Sequence, residues 1–136
     1  MIIHRITGQK RKTFREFYTP YDRQSERAHV ALRGMQSLLE HLFALDGPEL
    51  FAFTSHYRMC FVNEDSHTCP IIARIVPGCI DDEALGHIPL FHIGYPPTAA
   101  VLRHYDQWTR ESFTEVNAAG EYLLQSFQRS AFSPHA

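Results

Sequence analysis

Residues 49–62 read Glu-Leu-Phe-Ala-Phe-Thr-Ser-His-Tyr-Arg-Met-Cys-Phe-Val, and their period decides the fold class. Phe51, Phe53, Tyr57, Met59 and Phe61 fall on odd positions, and Ala52, Thr54, His56, Arg58 and Cys60 on even ones. Successive side chains of a strand point to opposite faces. Alternation with the aromatics on one side therefore predicts a single half-buried strand over 49–62. Asn63–His67 is polar and reads as a loop. Cys69–Val76 (Cys-Pro-Ile-Ile-Ala-Arg-Ile-Val) is a second strand signal, with Pro70 at its start. The pair is expected to form an antiparallel hairpin, with Pro77-Gly78 as the following turn. Asp81–Leu85 fits one helical turn. His87–Tyr95 is a third, shorter strand that Pro89 assigns to a sheet edge.

Helical signals flank these strands. After Ser25, a good N-cap, the positions Val30, Leu32, Met35, Leu38, Leu39, Leu42 and Phe43 form a stripe, so a helix is expected from about Glu26 to Leu45. Asp46-Gly47-Pro48 ends it. Pro96-Pro97-Thr98 opens a second helical pattern carrying Val101, Leu102, Tyr105, Trp108, Phe113 and Val116. Either it breaks at Asn117–Gly120, or one long helix runs through Gly120 to Leu123, Leu124 and Phe127. Residues 1–7 read as a short strand. Residues 9–24 read as a basic and aromatic arm whose rings dock on the body. Residues 131–136 read as a frayed tail. The expected fold is α+β, in a single domain over 1–136. It is an antiparallel meander of three to four strands, covered on one face by an N-terminal and a C-terminal helix.

Composition narrows the function classes. The 136 residues suffice for one core, and 44% hydrophobic against 21% charged residues excludes a disordered chain. No apolar run approaches the ~18 residues of a membrane helix, so no membrane partner is expected. Three cysteines, an odd number, without a secretory apolar run after Met1 predict free thiols and a cytoplasmic location. Net charge is −2, yet residues 1–33 hold eight basic and three acidic side chains, a net +5, leaving −7 for the remainder. Such a split points to an acidic partner, or to the basic segment folding back on the chain's own acidic body. The second is preferred, because the local concentration is intramolecular.

No catalytic residue is assigned. His56 and Cys60 share a face of the expected strand but are about 13 Å apart along it. No HExxH, GxxxxGK[ST] or GxGxxG occurs in the sequence. Cys60, His67, Cys69 and Cys79 are the donors that could hold zinc, although their spacing lacks paired CxxC knuckles. No cofactor is expected. Two surfaces are candidates for binding. His56, Arg58, Arg74 and His92 would form a cationic patch for carboxylate or phosphate on the second sheet face, if the strand register brings them together. In the arm, Arg11, Lys12, Phe14, Arg15, Phe17 and Tyr18 interleave cations with rings, as protein interfaces and nucleic-acid grooves do.

The expected function is that of a small non-enzymatic binding or regulatory protein, acting through contacts with another protein. An adaptor, a chaperone-like protein, or an inhibitor of a host machine would fit. So would a bacterial, phage- or plasmid-borne accessory protein, with a homodimer among the assemblies to test. Two alternatives stand beside it. One is a nucleic-acid-binding regulator using the basic N-terminal segment. The other is a small-ligand-binding or enzymatic α+β domain with a cationic pocket on the sheet face.

Overall fold

The computed structural model describes residues 1–134. The chain is α+β, with six strands forming one sheet in sequence order. They are β1 (Ile3–Arg5), β2 (Leu50–Ser55), β3 (Arg58–Val62), β4 (Ala73–Asp82), β5 (Gly86–Tyr95) and β6 (Thr109–Phe113). The sheet is mixed, because β1 runs parallel to β2 while every other neighbouring pair is antiparallel. The helices are α1 (Phe14–Phe17), α2 (Glu26–Ala44) and α3 (Val116–Arg129). Leu32, Met35, Leu38, Leu39 and Leu42 of α2 and Ala119, Leu123 and Phe127 of α3 join one core with the inward residues of β2–β5.

The expected three- to four-stranded antiparallel meander is corrected to this six-stranded mixed sheet. The segment 49–62 is two strands rather than one. His56 and Tyr57 both have positive φ, 50° and 68°, and Ser55 pairs with Arg58, so the chain reverses within two residues. A two-residue reversal exchanges the odd and even faces. Leu50, Ala52 and Thr54 share the helix side with Met59 and Phe61, while Phe51 and Phe53 lie on the opposite side with Val62 and Cys60. The turn escaped the sequence because such a turn normally carries Asn or Gly at these positions. Tertiary contacts hold it instead. The Tyr18 hydroxyl donates to the Tyr57 carbonyl at 2.9 Å, Gln24 Nε2 donates to the Tyr57 hydroxyl at 3.3 Å, and the Phe17 and Tyr57 rings lie 5.5 Å apart.

Further differences follow from pairing. The Pro77-Gly78 pair is inside β4, opposite Phe91 and Leu90, and is not a turn. Asp81 and Asp82 end β4 instead of opening a helical turn, and Asp82 Oδ2 accepts from the Ala84 and Leu85 amides in the reversal to β5. β5 is not an edge strand over its whole length. β6 pairs with residues 91–95 only, so Pro89 sits in the stretch that has β4 alone beside it. The helix expected to start at Pro97 is absent. Two 3₁₀ turns (Ala99–Val101 and Tyr105–Gln107) lead to β6, and α3 runs through Asn117–Gly120, where a break was one of the two expected outcomes, with Gly120 inside it. Adding β6 pairs the outer edge of β5 and sets Phe113 5.1 Å from Tyr122, which a helix through 109–113 would forgo. The tail is tied down as far as Phe132, since the Ala131 amide donates to Pro96 O at 2.9 Å and Asn63 Nδ2 to Phe132 O at 3.0 Å. Residues 135 and 136 of the expected frayed segment lie outside the described residues.

Helix α2 follows its sequence signals. Ser25 Oγ accepts from the Ala28 amide at 3.2 Å. At its other end the Met1 ammonium donates to the carbonyls of Leu42, Phe43 and Leu45, and a cation suits that end of the helix dipole. Gly34 lets α2 lie directly on β5, because a Cβ there would come within 2.5 Å of Pro89 Cβ.

Candidate binding site on the open sheet face

The helices cover one face of the sheet, and register defines the other. Across it runs the row Cys60, Arg74, Gly94, Arg110, on β3 to β6. The next row is Val76, His92, Ser112. Arg58 precedes Cys60 by two residues on β3 and so shares this face. The structure thus brings Arg58, Arg74 and His92 to one face, as the sequence allowed, and adds Arg110 and Ser112. His56 lies in the β2–β3 turn, apart from this row.

Arg74 is the best-positioned of these cations. Its guanidinium stacks on the Tyr105 ring at 3.7 Å and lies 5.3 Å from the Trp108 ring. The Trp108 indole N–H is held by Val101 O at 3.0 Å, so the 3₁₀ segment fixes the platform. Stacking leaves the in-plane N–H edge of a guanidinium free to fork to an anion. Burial pushes the Arg74 pKa down, Tyr105 opposes this, and the charges of Arg58 and Arg110 lower it further. Arg58 and Arg110 are thus both close enough to act on Arg74. Among the described residues none of the three has a carboxylate within ion-pair distance. Arg110 reaches only the Asp106 carbonyl, at 3.5 Å. His92 Nδ1 lies 2.7 Å from Ser112 Oγ. A cleft of about 480 Å³ opens between Arg74, His92, Arg110 and Ser112.

Beyond the cations the face is apolar. β3 pairs with β4 only through Ala73, Arg74 and Ile75, so β4 and β5 continue as a two-stranded ribbon. Its side facing away from Gly34 of α2 carries Val76, Ile80, Ile88 and Leu90, all half-buried.

The arm is placed differently. Phe14 and Tyr18 are buried in the core, and the Arg5 guanidinium lies 5.0 Å from the Phe14 ring and 5.1 Å from the Phe17 ring. Phe14, Phe17 and Tyr18 therefore dock on the chain's own body, while Tyr21 is exposed, as are Arg11, Lys12 and Arg15. Lys10, Lys12 and Arg15 rim a second cleft of about 390 Å³ over Ile3, Phe14 and Phe43. The basic segment also folds back in part, since Arg27 bonds Asp81 and the Cys79 carbonyl.

The zinc donors do not meet. Cys60 is buried on β3, Cys69 lies in the following loop beside Glu64 at 3.7 Å, and Cys79 is on β4. Among the described residues no three His, Cys, Asp or Glu side chains are grouped to hold a metal ion. Burial raises the Cys60 pKa to about 11, with Arg74 and Arg58 pulling the other way. No helix of the described residues is long and apolar enough to cross a membrane.

Arg110, Ser112, Tyr105 and Trp108 were not among the residues assigned to binding from sequence. Thr-Arg-Glu-Ser-Phe has four polar residues in five, so it lacks the apolar alternation that marks a strand. Comparison with protein-family models, with curated proteins and with solved structures finds no match to this chain.

Proposed function

We propose that this is a non-enzymatic binding protein whose open sheet face receives an acidic, extended segment of another protein. One observation carries the reading. Half-buried Val76, Ile80, Ile88 and Leu90 run into a cluster of Arg58, Arg74, His92 and Arg110 that has no carboxylate within ion-pair distance among the described residues, although Glu111 also borders the cleft. Apolar patches rimmed by charge mark interaction sites, and Arg with aromatics dominates interface energies. Charge selects the occupant. Two copies meeting through this face would set arginine against arginine, whereas carboxylates would complement it. A nucleic-acid reading of the arm has less support, because base stacking needs exposed rings and Phe14 and Tyr18 are buried, leaving Tyr21 as the exposed one.

The test is an NMR titration of the ¹⁵N-labelled protein with a peptide alternating Glu and Leu. Shifts should map to β4, β5 and β6, and a Lys-for-Glu peptide should leave them unmoved. No shifts, or shifts confined to α2 and α3, would overturn the reading.

A further inference from the structure

We infer that the Arg74–Arg110 pair forms a phosphate subsite for a phosphorylated side chain of the bound segment. The inference rests on the reading of the open face given above and names the group that its cationic end recognises.

Gly94 stands between the two arginines in the row, so Arg74 and Arg110 flank a position with no side chain. Strand spacing sets their backbones about 10 Å apart, near enough for two guanidinium forks to converge on one phosphate in the cleft that both line. Gly94 is buried and leaves no gap of its own: a Cβ there would meet Arg110 Cγ at 3.0 Å, the Thr109 carbonyl at 3.4 Å and Trp108 Cε3 at 3.6 Å, so the glycine makes room for the Arg110 stem and the Trp108 ring. The Arg110 stem thus lies over Gly94 and keeps its head beside the cleft. Ser112, held by His92, gives the wall a hydroxyl.

Charge favours a phosphate over a carboxylate. Arg74 is flanked on the same face by Arg58 and Arg110, whose charges both add to the lowering that burial imposes on it. One carboxylate neutralises one of these cations. A phosphate monoester carries about −1.5 to −2 at neutral pH and has three acceptor oxygens, enough for two forks and a hydroxyl. The stacked Arg74 is pre-set for this geometry. Lysine, a point charge without a planar fork, is not equivalent.

Fluorescence anisotropy with three peptides of one sequence, Leu-rich and with phosphoserine, Glu or Ser at the centre, tests the inference. The phosphoserine peptide should bind at least ten-fold tighter than the Glu peptide. Arg110→Ala and Arg74→Lys should each bring it to the level of the Glu peptide, with the thermal midpoint checked for both. Arg110 is exposed on an edge strand, so its variant keeps the fold even if that of Arg74 does not. Equal binding of phosphoserine and Glu peptides would overturn the phosphate subsite and leave the acidic-segment reading standing. Binding of none of the three would overturn both. A 5′-phosphorylated oligonucleotide binding tighter than the phosphoserine peptide would also overturn the inference, in favour of nucleic acid.

Discussion

Cys60 shows how position sets chemistry. Its side chain is 4% exposed, and burial outweighs the pull of Arg74 and Arg58, so the thiol resists ionisation. A cysteine that keeps its proton is a poor nucleophile and a poor metal ligand, which fits the scattered thiols. The shift also links to stability. Because the folded pKa is raised, to about 11 from an ordinary 9, the unfolded chain loses the proton first as pH rises. The thiol's contribution is complete below about pH 9 and declines through pH 11, a loss of up to roughly 3 kcal/mol. Tyr18, also raised by burial, pushes the same way at higher pH. Urea unfolding at pH 8, 9.5 and 10.5 checks this. Cys60→Ala should flatten the decline relative to the unsubstituted protein, and parallel curves would refute it.

Among the elements, α2 was legible because each of its signals is local, in a serine cap, a leucine stripe and a stop. The β2–β3 hairpin was not, because what makes it is distant in sequence. Nothing at His56 or Tyr57 announces a left-handed backbone, and the contacts that hold it come from Phe17, Tyr18 and Gln24. The consequence reached the site. Read as one strand, 49–62 put His56 beside Arg58 and Cys60. The turn removes His56 from the row and leaves exposed Arg58 and buried Cys60 on the face opposite the helices. Arg74 and His92 were legible as residues, but their convergence depended on register. Arg110 stayed hidden with its strand. Left-handed backbone costs a non-glycine residue about 1–2 kcal/mol. His56→Gly should therefore raise stability by up to about 1 kcal/mol, after the cost of glycine's unfolded freedom, and β-branched His56→Val should lower it by a similar amount or more. Thermal unfolding of both variants decides, and equal midpoints would show the turn to be unstrained.

For the whole molecule, charge counted along the chain misleads about where cations gather. The first 33 residues carry the excess, yet Arg5 is wrapped by Phe14 and Phe17, and Arg27 returns to Asp81. Arg58, Arg74 and Arg110 come from the part with net −7. Folding, not composition, separates the signs. It also leaves the sheet uneven. From Val76 to Asp82 and from Gly86 to Leu90, β4 and β5 have only each other as ladder partners. α2 braces one side through Gly34 on Pro89, and its first turn reaches the tip through Arg27 on Asp81 and the Cys79 carbonyl and Glu26 near His87. Deuterium uptake should rank accordingly, fastest at the tip around residues 82–87, intermediate along the ribbon, and slowest at Phe91–Tyr95, which are paired on both sides. Uniform protection along β5 would contradict this. The half of the sheet that would breathe most is also the half with bare aliphatic side chains. A ligand laid across it would supply missing neighbours and slow that exchange, so occupancy could be read as a local quenching of motion before any partner is known.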